Sequence, residues 1–287
     1  MLALLQADFI PRIPLSDWTN DAEEYITDRL ELDRLADALD ALVDFLTFLL
    51  ISPPAMVMVG ILAVVAFFLA GWRVALFTVL GLLAIISLNL WEAAMESLAL
   101  IFLAAVVSLA VGIPLGIIAA KVRGVESAIL PVLDVMQTMP AFVYLVPIVV
   151  LLSIGNPVAL IATVIFAMPP AVRLTLLGIQ QVPRETVEAA QAFGATPWQT
   201  LLKVELPLSL TSIMAGVNQV IMLSLSMVVV AALAGAGGLG EPVVSGLGQL
   251  DVGAALVGGI GIVIIAIMLD RVTRGLERGR RTAKKTA

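Results

Sequence analysis

Few residues in this chain have the type and spacing to do chemistry. The run GAGGLG at 235–240 matches G-x-G-x-x-G letter for letter, the spacing with which a strand–turn–helix backbone closes on a pyrophosphate. Here the run follows a long apolar segment and opens no strand–helix–strand unit, so nucleotide binding is rejected. Gly235, Gly237, Gly238 and Gly240 are read either as a flexible gate or close helix packing, or as an ordinary glycine-rich loop. Histidine and cysteine are both absent. Their absence removes disulfides, thiolate metal sites, and the commonest ligand and general base of zinc and haem chemistry. No catalytic triad, paired-carboxylate site or phosphate-binding lysine loop is present.

A second set of polar residues interrupts the apolar stretch 128–152: Pro131, Asp134, Gln137, Thr138, Pro140, Tyr144 and Pro147. Proline frees a backbone carbonyl, and such groups at membrane depth face protein or a water-filled cavity. Asp134 is the acid nearest a span interior and so a functional candidate; it also lies near enough to a boundary to be a solvated helix end. Met168, Pro169 and Pro170, followed by Arg173, read as a second break, and the two stretches together are expected to line a pathway. Glu92 and Glu96 flank an outer loop, as solvated acids or as contacts to an outer partner.

The third set is an island of charge and helix punctuation at 182–207, VPRETVEAAQAFGATPWQTLLKVELP. Pro183 suits a first helical turn, and Glu185 and Glu188 lie near that helix's positive end. Gly194 can close the helix in the left-handed conformation. Thr196, with Pro197 next and Gln199 three residues on, has the pattern of a capping box opening a second helix, which Pro207 is expected to end. A polar helix–turn–helix between two apolar runs looks like a docking surface.

The elements that must position these residues are membrane helices. The chain is 61% hydrophobic and 13% charged, with a mean hydropathy of +1.08, and its apolar runs recur near the ~20 residues that span a bilayer. The runs are continuous, which excludes the alternating strands of a β-barrel. The fold class is an all-α polytopic membrane protein with about seven spans, at 54–70, 74–90, 97–120, 128–152, 157–178, 208–234 and 252–270. Residues 1–44 hold 11 of the 22 acids and 3 of the 16 bases. The other 13 bases fall in the loops near 71–73, 121–126 and 182–207 with their flanks, and in the C-terminal tail. The positive-inside rule then puts the island and the C-terminus in the cytoplasm and the acidic N-terminus outside. Trp72 and Trp91 sit at span ends as interface anchors do.

The opening residues have no basic n-region and too short an apolar core for a signal peptide. Over 20–50, the spacing of Ile26, Leu30, Leu35, Leu39, Leu42 and Leu46 predicts an amphipathic helix with an acidic face. It either lies on the membrane or braces the bundle, or is a solvated tail that carries the first span; Pro53 and Pro54 break it. The basic stretch from Arg271 to Lys285 is an orientation signal beside anionic lipid. Without a folded basic domain or stacking aromatics it is not expected to bind nucleic acid.

Glu188-Ala189-Ala190, three residues, Gly194, nine residues, then Val204-Glu-Leu-Pro207 resembles the EAA signature of bacterial ABC importer permeases, with Val204 where the pattern has Ile. The likeness covers about 93–273, the five-span core of the type I importer fold. More narrowly, DVMQTMPAFVYLVPIV (134–149), FAMPPAVRLTLLGIQQVP (166–183), IMAGVNQVIMLSLSMVV (213–229) and LDVGAALVGGIGIVIIAIMLDR (250–271) are similar to the permease of glycine betaine/proline betaine uptake systems. This chain departs from that family in its short N-terminal tail, and is expected to lack the fused substrate-binding domain that some members carry.

The resemblance implies a domain order of an acidic extracytoplasmic tail (1–52), two accessory helices (53–92), the permease domain (93–273) and a basic cytoplasmic tail (274–287). It implies a homodimer in a bacterial inner membrane, two cytoplasmic ATPase subunits docked on the 182–207 island, and a soluble periplasmic binding protein. ATP and Mg would belong to the ATPase, and this chain would be a transporter subunit with no cofactor of its own. Glu188, Ala189, Ala190, Gly194 and Thr196 would form the coupling contact, closed by Pro207. The cargo would be a small quaternary-amine compatible solute such as glycine betaine, proline betaine, choline, carnitine or trimethylamine N-oxide. A cation of that kind is best held by aromatic rings, and along the expected pathway only Tyr144 is an obvious ring, so selectivity is assigned to the binding protein. The competing readings are an ion-coupled secondary transporter, which would need an inverted repeat and buried coupling residues, and a membrane scaffold with no transport role.

Overall fold

The computed structural model describes residues 32–283, with side chains described through residue 275. Among them all regular structure is helical. Helix α1 (Leu32–Ile51) ends before Ser52-Pro53-Pro54 and turns by 98° into α2 (Ala55–Ala70). Helices α3 (Trp72–Ser87), α4 (Trp91–Lys121), α5 (Val125–Thr138), α6 (Ala141–Leu152) and α7 (Asn156–Gln180) follow. Beyond α7 come the short α8 (Arg184–Ala192) and α9 (Pro197–Thr200), a π-helical turn (Leu201–Glu205), α10 (Leu206–Ser226), α11 (Val228–Leu233), α12 (Gly240–Gln249) and α13 (Val252–Ala283).

Four helical stretches are long and apolar enough to span a bilayer singly, and the two bent pairs, α1–α2 and α5–α6, bring the count to six. Helix α3 is apolar but only 16 residues long, about 24 Å at 1.5 Å per residue against a hydrocarbon core of about 30 Å.

The centre of the bundle is α4, α7 and α10. Apolar lipid provides no hydrophobic drive between membrane helices, so they associate by close approach over small residues. A β-carbon on Gly116 of α4 would lie 2.6 Å from the Val172 carbonyl oxygen of α7, and one on Gly178 of α7 would lie 2.8 Å from Ser212 of α10. Helices α2, α3 and α13 pack against the first half of α4 through Met58, Leu82, Ile85, Met95, Ile265 and Met268.

Two proline-rich segments behave differently from one another. The expected span 128–152 is two helices meeting at 96°. Pro140 has no N–H and holds Met139 in the extended region (φ −69°, ψ 131°), so the helix cannot run through. The break expected at Met168-Pro169-Pro170 does not occur; α7 is continuous across it. Both prolines are buried and pack between neighbours, with Gly112 of α4 against Met168 and Ala171 and Gly216 of α10 against the Pro170 carbonyl. Close neighbours hold the helix where the lost hydrogen bonds would let it bend.

Of the predicted amphipathic helix, Ile26 and Leu30 lie outside the described residues, as do residues 1–31 and 284–287 of the two tails. The described part, α1, braces the bundle: Leu39, Val43 and Leu46 pack on Leu100, Leu103 and Ala104 of α4 and on Leu160 of α7. Asn156 at the start of α7 donates to Asp40 at 3.0 Å.

Candidate functional site

The island at 182–207 folds as its punctuation dictates up to Glu205. Pro183 precedes α8 as its N-cap residue, and Gly194 turns the chain at φ +84° with its N–H bonded to the Gln191 carbonyl. Thr196 forms the capping box: the Gln199 N–H donates to its hydroxyl at 3.3 Å, and the Thr196 N–H donates to the Gln199 amide oxygen at 2.9 Å. Pro207 does not end the second helix. The helix runs from Pro197 to Leu233 as one span, because the π turn, with the Leu206 N–H bonded to the Leu201 carbonyl, adds a residue just where the proline ring would otherwise crowd the preceding turn. The second helix of the island is therefore continuous with a membrane helix.

Its outer face is bare. Glu188, Ala189, Gly194 and Thr196 are exposed and Ala190 partly so, beside Phe193 at 94% and Trp198 at 66% exposure. Two large aromatic side chains thus stand exposed beside small alanines in an otherwise polar segment.

Behind the island, polar contacts tie the helix ends together. Lys121, the last residue of α4, pairs with Glu205 of the π turn, whose side chain is 6% exposed. Arg173 of α7 pairs with Asp134 of α5 at 2.5 Å, and Gln180 of α7 donates to Glu126 of α5 at 2.8 Å. The first and last of these contacts were not among the sequence candidates. The available signal was an acid in the VELP run four residues before the buried Ser209, and a lysine closing an apolar run.

The pathway candidates divide. Asp134, Gln137 and Pro140 are exposed on the bent α5–α6 pair, and Asp134 is joined to Arg173. Tyr144 of α6 is not exposed with them but buried with Leu145, Leu152, Val158 and Met227. Pro169 and Pro170 lie within the helix packing of α7.

At the opposite end, the glycine run closes α11 against α4 and α6. The Leu239 N–H donates to the buried Ser97 hydroxyl at 2.8 Å, and the Gly155 N–H donates to the Ala234 carbonyl at 2.9 Å. A β-carbon on Gly238 would sit 2.4 Å from the Ser97 oxygen, one on Gly240 2.3 Å from the Val228 carbonyl oxygen, and one on Gly237 2.5 Å from a Glu96 oxygen. Gly235 adopts φ +82° beside Ile154. Among the described residues no group of three or more Asp and Glu side chains could hold a metal ion.

The family model described as binding-protein-dependent transport system inner membrane component matches residues 112–282. The chain belongs to this family. The permease is 44% identical over 272 residues to the glycine betaine/proline betaine transport system permease protein of Escherichia coli (strain K12), across 94% of this chain and 77% of that one. It is 44% identical over 272 residues to the glycine betaine transport system permease protein of Bacillus subtilis (strain 168), across 94% of this chain and 96% of that one. A trimethylamine N-oxide transport system permease protein of Ruegeria pomeroyi is 35% identical over 91% of this chain, which spans 42% of that protein's length. The fold matches that of the MetNI methionine ABC transporter in an inward-facing conformation, at a TM-score of 0.56 and 22% identity over 65% of this chain and 95% of that one.

The permease is thus a membrane-spanning subunit of a binding-protein-dependent ABC importer with the type I fold, and not an enzyme. Hydrolysis of ATP belongs to a separate subunit, and a substrate-binding partner completes the system.

Proposed function

We propose that the permease imports a small quaternary-amine compatible solute, of the glycine betaine, proline betaine, choline or trimethylamine N-oxide type, and so serves in osmoprotection. The observation that carries this reading is the pairing of near-full-length likeness to glycine betaine permeases with a bare, capped helix pair built rigidly onto a membrane helix. In this reading the N-terminus lies outside and the C-terminus in the cytoplasm, as the distribution of lysine and arginine supports. Two copies of the chain form the pore. Each docks one ATPase through Glu188, Ala189, Ala190, Gly194 and Thr196, and ATP and Mg act on that partner. A soluble periplasmic protein delivers the cargo; the bent α5–α6 pair, with Asp134, Gln137 and Pro140, borders its route, and the 235–240 loop closes the outer end.

The domain order is the one read from the sequence: 1–52, 53–92, 93–273 and 274–287. Tyr144, buried and apolar in its surroundings, leaves recognition of the cation to the binding protein. The test is uptake of radiolabelled glycine betaine into proteoliposomes holding permease and ATPase, with ATP inside and binding protein outside. Uptake that depends on both is expected, and loss of ATPase co-purification on Glu188→Lys or Gly194→Trp. Uptake driven by a proton gradient without ATP would overturn it.

A further inference from the structure

One buried charge stands at the unspecified position of the EAA signature, between Val204 and Leu206. Leu201, Glu205, Ser209, Ile213, Gly216 and Val220 recur at spacings of three and four and form the buried stripe of the π turn and α10. Glu205 is the carboxylate in that stripe. A buried carboxylate requires a partner of opposite charge, and removing either member strands the other. Its partner, Lys121, is the final residue of α4, where the negative end of the helix dipole also favours a cation. Lys121 is 38% exposed, so the ammonium reaches inward from a wet helix end. The pair thus joins the root of the docking element to the longest helix of the central bundle outside the coupling span itself.

Helix α8 packs on the π turn that carries Glu205, and α9 runs directly into it. A displacement of the docked helices therefore has two rigid routes into the bundle. One runs along α10, and the other crosses through Glu205 to α4, which grips α7 over Gly112 and Gly116. We infer that Lys121 and Glu205 are positioning residues that make α4 move with the coupling element, so that ATPase closure turns the two halves of the central bundle together. This rests on the ATPase-docking reading above. A polar pair suits such a joint better than an apolar contact because its strength depends on geometry, holding one register and resisting sliding.

The test compares wild type, Lys121→Met, Glu205→Gln, Lys121→Arg and the reversed pair Lys121→Glu/Glu205→Lys in proteoliposomes with ATPase and binding protein, reading solute imported per ATP hydrolysed. Lys121→Met and Glu205→Gln are expected to lower that ratio at least fivefold while ATPase still co-purifies and hydrolyses ATP. Lys121→Arg should retain most of it, and the reversed pair should recover more than either single variant. A wild-type ratio in both single variants overturns the inference, as does a fall in hydrolysis and import by the same factor, which marks a purely structural pair. If Glu205→Gln does not accumulate, Lys121→Met at its half-exposed position decides the question alone. Failure of the docking reading would show separately, as wild-type import that needs no ATP.

Discussion

The two glycine-punctuated turns of this permease, at 194 and at 235–240, are built for opposite purposes. A β-carbon on Gly194 would meet nothing within 4 Å; the residue is glycine because the chain turns there at φ +84°. Gly240 has an ordinary backbone but would drive a β-carbon to 2.3 Å from a carbonyl oxygen. One turn needs conformational freedom in open space, and the other needs space itself. An open turn can accept a partner; a crowded turn with the buried Leu239 anchored to Ser97 holds two helix ends in place.

The comparison can be broken most sharply at Gly240. Replacement by Leu should destabilise by about 3 kcal/mol, the upper end of the usual overpacking penalty, read as a large drop in thermal unfolding temperature of the detergent-solubilised protein. Ser97→Ala, which leaves the buried Leu239 N–H without its acceptor, should lower stability by about 2 kcal/mol, and faster amide exchange at 239 would locate the loss. Gly194→Ala has room for its methyl group, so it should cost only about 1 kcal/mol, the strain of a left-handed alanine. Its signature is weakened ATPase co-purification with unfolding temperature almost unchanged. Thr196→Ala removes the hydroxyl of the capping box and should cost about 1 kcal/mol or less, visible as reduced coupling of hydrolysis to import. If Gly194→Ala and Gly240→Leu instead had the same effect on unfolding temperature, the distinction between the two turns would fail.

Most of the island was legible because its signals are local. A proline before a helix, a glycine after it, and Thr196 with Gln199 three residues on each act within one turn of chain, where no distant neighbour intervenes. Pro207 was misread for the complementary reason. Whether a proline ends a helix depends on the turn before it, and a π turn at Leu201–Glu205 makes room that no residue type announces. The proline pair at Pro169 and Pro170 teaches the same lesson in the bundle. It looked like a break, but Gly112 and Gly216 on two other helices hold α7 continuous around it. At Pro140 the chain does bend, by 96° between α5 and α6. Proline content alone did not separate these cases.

By itself the sequence determined the membrane class, the order of the helices, the capped helix pair at 182–207 and, through the spacing of Glu188, Gly194 and Pro207, the family. Each of these follows from hydropathy and short-range backbone rules that act along the chain. Only the tertiary structure decided which prolines bend a helix, that Tyr144 is buried among apolar neighbours, that the glycine run is a crowded joint, and that Glu205 meets Lys121. Those outcomes depend on side chains that lie far apart in the chain, and a close approach of two helices is set by the neighbour as much as by the residue.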